Sequence, residues 1–156
     1  MENVMDDLKV ALFGHREIDD LLKLDLRLVS EVEKMVLNKS YVNFLIGRNG
    51  EFDEYAASVI KRVQKRRGKH NNEITLVLPY VVKAVEYYEK YYDNVFIPES
   101  VQGAHPKSAI KRRNRWMVDY ADVVIVYVER DHGGAYDAMK YAKKTGKTVI
   151  NLVENQ

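Results

Sequence analysis

Apolar runs and helical stretches alternate along the whole chain, and this alternation sets the fold prediction. The apolar runs are continuous, which is typical of strands buried on both faces of a parallel sheet. They predict six strands, at KVALFG (9–14), YVNFLIG (41–47), EITLVLP (73–79), NVFIPES (94–100), VVIVYV (123–128) and TVINL (148–152).

The segments between these runs carry apolar residues at three- and four-residue spacing, the period of a helix packed on a sheet. They predict helices over 19–38, 51–68, 82–92, 106–120 and in the segment that separates the last two strands. Strands separated by helices pair in parallel through right-handed crossovers. The pattern therefore predicts a three-layer α/β/α sandwich with a mainly parallel, Rossmann-like sheet, built by one domain over residues 1–156.

Composition narrows the class of protein without naming a function. The net charge of +2 is by itself too small to indicate nucleic-acid binding. The sequence contains no cysteine, which excludes disulfides and thiol chemistry. The N-terminal stretch lacks the blocks of a secretory signal, and no apolar run reaches the ~20 residues of a membrane helix. We expect a soluble, cytoplasmic protein with no membrane partner.

Glycine stands at the ends of three predicted strands. Gly14 closes the first strand, Gly47 closes the second with Gly50 three residues later, and Gly133 and Gly134 follow the strand 123–128. Open parallel sheets bind ligands at the carboxyl ends of their strands, where glycine lets a ligand approach the backbone and helix N–H groups attract anions. These turns predict a phosphate or sugar site, although ordinary strand–helix turns also use glycine. No dinucleotide fingerprint or Walker P-loop is present.

The predicted helix 106–120 carries two polar residues within its apolar stripes. Asn114 lies in line with Ile110 and Met117, and Arg113 lies in the adjoining stripe. Burying such groups without partners is costly. They must therefore reach backbone carbonyls, a carboxylate or a ligand, and spacing alone leaves these alternatives open.

Three further features allow a structural or a functional interpretation. The four histidines show no local metal-ligand spacing, so no metal site and no cofactor are predicted. The basic helix end KRVQKRRGK (61–69) either complements the helix dipole or contacts nucleic acid. Tyr87, Tyr88, Tyr91 and Tyr92 form an aromatic face suited to the core, to a homo-oligomer contact or to base stacking.

Several stretches together resemble the SLOG superfamily. They are FGHRE after the first strand, GRNGEFDEYAA after the second, and RRNRWMVDYADVVIVYV with GGAYDAMKYAKKTGKTV at the end. That superfamily of Rossmann-like domains includes the Lonely Guy (LOG) phosphoribohydrolases and the DNA-processing protein DprA. The strand-terminal GHR is similar to the YpsA-like branch, whose members are largely uncharacterised.

The resemblance implies a set of ligand-binding residues at the strand ends. The set comprises the first loop, the second turn, the R-N-R helix and the late glycine-rich loop: Gly14, His15, Arg16, Gly47, Gly50, Asp53, Arg113, Asn114, Arg115, Gly133, Gly134 and Tyr136. Family members bind nucleotides or nucleotide-derived molecules as phosphate plus sugar. In that scheme Arg16 holds phosphate, and Asp53 caps its helix or holds a ribose hydroxyl.

The late loop departs from the LOG pattern P-G-G-x-G-T-x-x-E, whose glutamate is catalytic. This chain reads H-G-G-A-Y-D-A-M-K, which puts Lys140 at the glutamate position. Cleavage of an N-glycosidic bond needs a carboxylate, so LOG-type activity is disfavoured. Asp53 and Asp137 are the candidate carboxylates, and whether the protein is an enzyme stays open.

The sequence thus predicts a protein that binds a nucleotide or nucleotide-derived small molecule at the carboxyl ends of its strands. The first alternative is a hydrolase or transferase acting on nucleosides or nucleotides. The second alternative is a nucleic-acid-binding module similar to DprA.

Overall fold

Six parallel strands form one sheet in the computed structural model, which describes residues 6–153. The strands are short, and the four central ones are mostly buried, as their continuous apolar sequences predict, whereas the two edge strands contain no buried residue. They are β1 (Asp7–Gly14), β2 (Tyr41–Ile46), β3 (Asn72–Val77), β4 (Asn94–Phe96), β5 (Val123–Tyr127) and β6 (Thr148–Asn151).

Five α-helices connect these strands within the described residues. They are α1 (Leu21–Asn38), α2 (Glu51–Arg67), α3 (Val85–Tyr91), α4 (Pro106–Tyr120) and α5 (Gly134–Lys144). A single 3₁₀ turn (Glu99–Val101) precedes α4. The predicted α/β/α sandwich with a parallel sheet is confirmed.

The strand order is β4-β3-β2-β1-β5-β6. The chain therefore builds outward from β1 to β4 and then returns to the other side of β1 for β5. Val10 pairs with Val123 and Gly14 with Tyr127, so β1 and β5 end at the same level. A reversal of strand order of this kind leaves a crevice beyond the carboxyl ends of the two strands, and ligands of open α/β sheets bind there.

Alternate residues of β1 enter two separate cores. Val10 and Leu12 pack with α1 and α2 on one face of the sheet. Ala11 and Phe13 pack with α4 and α5 on the other face. This alternation follows from the two-residue period of a strand, and it fixes the sheet between two helical layers.

The element boundaries differ from the sequence predictions by a few residues. Helix α1 begins at Leu21, because the carboxylate of Asp20 caps it by accepting the Lys23 N–H at 3.1 Å. Helix α3 is limited to seven residues and begins at Val85. Strand β2 ends at Ile46, which leaves Gly47 in the following loop.

No helix within residues 6–153 is long and apolar enough to cross a membrane.

Candidate functional site

A cavity of about 410 Å³, which we call the cleft, opens beyond the carboxyl ends of β1 and β5. It occupies the crevice that the strand order creates. Its volume lies in the range of small-molecule sites, roughly 300–1,000 Å³. The structure brings eight of the predicted site residues together in its lining: Gly14, His15, Arg16, Asp53, Arg113, Asn114, Gly133 and Gly134.

His15 ties the loop after β1 to the loop after β5. Its ring is buried, and its Nε2 accepts the backbone N–H groups of Glu129 at 3.0 Å and Arg130 at 3.2 Å. An Nε2 that accepts both bonds leaves the proton on Nδ1, so the ring is neutral. Burial lowers the pKa of His15, and the neighbouring Arg130 and His132 lower it further. The ring therefore positions the two loops that form the wall of the cleft.

Arg16 presents an exposed guanidinium to the cleft. Its side chain has no hydrogen bond or ion pair within the described part of the chain. Its backbone is nevertheless fixed, since its carbonyl accepts the Glu51 N–H at 2.9 Å. A Cβ on Gly50 would lie 2.6 Å from the Arg16 Cα, so only glycine lets the loop lie this close to α2. Gly50 supports the cleft without lining it.

Two of the strand-end glycines make room for side chains of the protein itself. A Cβ on Gly14 would lie 2.1 Å from the Phe52 ring, and one on Gly47 would lie 2.9 Å from Nη1 of Arg113. Both distances are shorter than real Cβ contacts allow. The space at these turns is thus already filled by Phe52 and Arg113.

The glycine pair before α5 differs, because its surroundings are open. No atom lies within 4 Å of a Cβ built on Gly133, and only Asn114 Nδ2, at 3.8 Å, approaches one built on Gly134. Gly133 has φ +98°, a conformation that favours glycine. No side chain caps this helix start. The first N–H groups of α5 therefore face the cleft, where they attract an anion.

Arg113 has its partners inside the protein. The side chain is only 2% exposed, and its Nη1 donates to the Val77 carbonyl at 2.8 Å. Its Nε donates to Asn114 Oδ1 at 2.9 Å, and its Nη2 donates to Asn49 Oδ1. Burial lowers the pKa of Arg113, whereas the Asp53 carboxylate raises it. Spacing left open a backbone carbonyl, a carboxylate or a ligand as the partner. The structure shows a backbone carbonyl together with the side-chain amides of Asn49 and Asn114.

Asp53 lies in the first turn of α2 and faces the cleft. Its Oδ2 accepts the Asn49 N–H at 2.8 Å, which secures the start of the helix. Burial raises the pKa of Asp53, while the Asn49 N–H and the charge of Arg113 oppose that rise. Asp53 thus ties the loop before α2 to the first turn of that helix, and both its capping role and its ribose contact stay predictions.

Sequence reasoning missed several residues that line the cleft, namely Asn49, Lys107, Ile110 and Arg130. Arg130 follows the end of β5, and Lys107 lies in the first turn of α4. Arg130 is close in sequence to the carboxyl end of a strand, and this signal could have identified it, whereas the 3₁₀ turn separates Lys107 from β4 and no such signal marks it. Arg130 also forms an ion pair with Asp19, 3.7 Å away.

A second cavity of about 260 Å³, which we call the groove, lies between α4 and α5. It shares Lys107, Ile110, Asn114 and Gly134 with the cleft, so the two spaces adjoin each other. Two of the predicted residues outside the cleft, Arg115 and Asp137, line the groove.

Tyr136 and Lys140 belong to neither cavity lining. The Lys140 ammonium lies over the Tyr136 ring, 5.2 Å from its centroid. Lys140, which stands at the position of the LOG glutamate, thus carries an ammonium group and lies outside both cavities. Within residues 6–153, no group of three or more histidine, aspartate or glutamate side chains is placed to hold a metal ion.

The tyrosine cluster (Tyr87, Tyr88, Tyr91 and Tyr92) lies on α3 and at the residue directly after it. Its members and Arg48, which follows β2, line a separate cavity of about 230 Å³. Arg48 donates to the Tyr88 hydroxyl at 2.8 Å. Tyr92 is buried, whereas Tyr87 is 67% exposed, so the cluster is core on one side only.

The basic end of α2 is engaged within the protein. Arg66 and Arg67 form ion pairs with Glu33 of α1, at 2.8 and 3.2 Å. These pairs agree with the structural interpretation of this segment, and they leave fewer free cations there for nucleic acid.

Comparison with known proteins identifies a shared fold. No family model matches the chain, and no curated protein matches it. A solved structure of DNA processing protein A from Helicobacter pylori, described for its single-stranded DNA binding mode, superimposes with a TM-score of 0.64 at 17% sequence identity. The match covers 92% of this chain and 64% of that chain. At this identity the two proteins are shown to share a Rossmann-like fold.

Proposed function

We propose that the cleft binds single-stranded nucleic acid by holding one of its phosphates. The observation that carries this proposal is the cationic cleft at the strand-order reversal. Arg16 and Lys107 line it without partners in the described part of the chain, and Arg130 stands beside them. The open start of α5 at Gly133 and Gly134 adds unbonded backbone N–H groups. Cationic side chains and helix N–H groups that face one cavity are the chemistry of a phosphate site.

A single-stranded nucleic acid is favoured over a single nucleotide as the ligand, because a second cavity, the groove, adjoins the cleft. The groove lies along α4 and α5, with Lys111 and Arg115 on its rim and Tyr141 in its wall. A cationic path with an aromatic side chain is typical of single-strand binding, where the backbone follows the charge and bases stack on rings. The fold shared with DNA processing protein A supports the same proposal. It also supports the SLOG resemblance at the level of fold, while the YpsA-like branch stays a prediction.

A second candidate function is the binding of a free nucleotide-derived molecule. The observation that favours it is Asp53, a carboxylate inside a cavity whose other charged lining residues are cationic or histidine. A carboxylate accepts hydrogen bonds from the hydroxyls of a ribose. A ribonucleotide would then place phosphate near Arg16 and sugar near Asp53.

Fluorescence anisotropy with a labelled 15-mer of deoxythymidylate, competed by unlabelled mononucleotides, separates the two functions. We expect the 15-mer to bind at least about tenfold more tightly than deoxythymidine or adenosine monophosphate, because it also occupies the groove. Tighter binding of a mononucleotide than of the oligonucleotide would favour the second candidate. Absence of binding by either would contradict the site itself.

The same incubations address the enzyme hypothesis. We expect no free base above background, because Lys140 stands at the position of the LOG glutamate and lies outside the cleft. Base release that disappears in Asp53→Asn or Asp137→Asn would establish a glycosidic-bond enzyme instead.

A further inference from the structure

The groove differs from the cleft in chemistry. Ile110 and the buried Ala138 give it an apolar floor, and the Tyr141 ring forms one wall. The Arg115 guanidinium lies over one face of that ring, 4.7 Å from its centroid, so this face is already covered. The Tyr141 hydroxyl is fixed as well, since it donates to Asp119 at 2.7 Å. The groove therefore contains an ordered guanidinium–aromatic pair.

Asp137 is the acidic member of the groove lining. It is exposed in the first turn of α5, and its carboxylate has no hydrogen-bond partner within residues 6–153. A carboxylate only accepts hydrogen bonds, and it repels phosphate. Beside Asp137 the groove therefore suits an uncharged flat group that carries N–H donors at its edge, while Lys107, Lys111 and Arg115 in its lining attract the flanking phosphates.

The cleft and the groove adjoin at Gly134, which lines both. Gly134 has no side chain, and the Asn114 amide lies 3.8 Å from the position of its missing Cβ. Residue 134 thus places no side chain between a phosphate in the cleft and a group in the groove.

We propose that the groove holds a nucleobase of the strand whose phosphate occupies the cleft, and that Asp137 selects bases with an exocyclic amino group. This inference rests on the proposed function, since it assigns the base subsite of the same ligand. Cytosine offers its N4 amino group to a carboxylate, whereas thymine presents the O4 acceptor at the same place. Stacking on the Arg115–Tyr141 pair supplies the affinity, and Asp137 supplies the preference.

The test compares three octamers in the same anisotropy assay: oligodeoxycytidylate, oligodeoxythymidylate and an abasic octamer with the same phosphates. We expect the cytidylate octamer to bind about tenfold more tightly than the abasic octamer and more tightly than the thymidylate octamer. Asp137→Asn should remove the preference for cytosine. Tyr141→Ala should remove most of the advantage over the abasic octamer, while Tyr141→Phe, which keeps the ring, should retain it.

The outcomes separate this inference from the proposed function. Binding of no octamer, the abasic one included, would contradict the phosphate site and therefore both proposals. Abasic and cytidylate octamers of equal affinity would contradict the base subsite alone. The matched control is Tyr87→Ala in the exposed tyrosine cluster, where the advantage should be unchanged. A loss of advantage in that variant, with none in Tyr141→Ala, would place the bases on α3 and overturn the inference.

Discussion

His15 shapes the cleft through a neutral ring, and this makes the protein sensitive to mild acid. Its Nε2 accepts two backbone N–H groups, and a protonated ring cannot accept them. Burial holds the folded-state pKa below the ordinary value of about 6.5. The unfolded chain therefore takes up this proton first as the pH falls. The neutral His15 ring therefore makes its full contribution to the free energy of unfolding above pH 6.5. That contribution is lost as the pH falls from 6.5 through the pKa of His15 in the folded protein.

We expect urea unfolding to show a larger loss of stability between pH 7.5 and pH 5.5 in the wild type than in His15→Gln. Glutamine keeps a hydrogen-bond acceptor at this position but does not titrate, so it is the matched control. The difference between the two proteins isolates His15 from the other titrating groups. Equal losses would mean that His15 does not carry this pH dependence.

Arg16 is the side chain on which phosphate binding most directly depends. It lacks a hydrogen-bonding partner in the described part of the chain, so its guanidinium is available to a ligand at no cost to the fold. We expect Arg16→Ala to weaken oligonucleotide binding by about 1.5 kcal/mol, the lower end for a charge-assisted bond because the site is exposed. Anisotropy titration measures the change, and urea unfolding should be unaltered.

Lys144→Ala is the control for the lost charge, because Lys144 is exposed in the last turn of α5, at the end opposite the cleft. Its affinity should equal that of the wild type. An Arg16→Ala variant that binds as tightly as Lys144→Ala would rule out the phosphate role of Arg16.

At the scale of elements, two adjacent glycines stand at the start of α5. The two glycines differ in backbone conformation: Gly133 has φ +98°, and Gly134 does not have a positive φ. Alanine at Gly134 should leave the fold unchanged or stabilise it by about 0.4–1 kcal/mol, since the new Cβ would meet Asn114 Nδ2 at an ordinary 3.8 Å. Alanine at Gly133 should destabilise the fold by more than that, because its conformation there is strained.

Oligonucleotide binding should respond to the substitution at Gly134 although stability does not. Gly134→Ala puts a methyl group where the cleft and the groove adjoin, so we expect at least a tenfold loss of oligonucleotide affinity with an unreduced melting temperature. Thermal melting and anisotropy on the same samples separate the two effects. Wild-type affinity in a well-folded Gly134→Ala variant would show that the pair is only a turn.

The sequence predicted the elements well because strand and helix periods are local properties of the chain. It also predicted a site at the strand ends, where parallel sheets bind ligands and where the cleft lies. The sequence could not predict the roles of individual glycines. Gly14 faces Phe52 and Gly47 faces Arg113, and these contacts exist only after α2 and α4 have packed against the sheet. Lys107 was missed for the same reason, because folding alone brings the first turn of α4 to the cleft.

At the scale of the whole molecule, the net positive charge is small, but several cations line the cleft and the groove. The net charge of +2 is too small to draw nucleic acid to the surface in general. The basic end of α2 is largely engaged by ion pairs with α1. Binding of a strand must therefore come from the cations of the cleft and the groove. Arg16, Lys107 and Arg130 line the first, and Lys111 and Arg115 line the second.

This concentration predicts a moderate salt dependence. For single strands the logarithm of the binding constant falls with the logarithm of salt concentration by about 0.7 for each phosphate neutralised. Contacts to three to five phosphates give a slope of about −2 to −3.5, measured by anisotropy with the deoxythymidylate 15-mer between 50 and 300 mM salt. Arg16→Ala should make the slope less steep by about 0.7, and Lys144→Ala should leave it unchanged. A slope near zero, or one that responds equally to both substitutions, would mean that the cleft does not hold the phosphates, because a local site must lose a contact only when its own cation is removed.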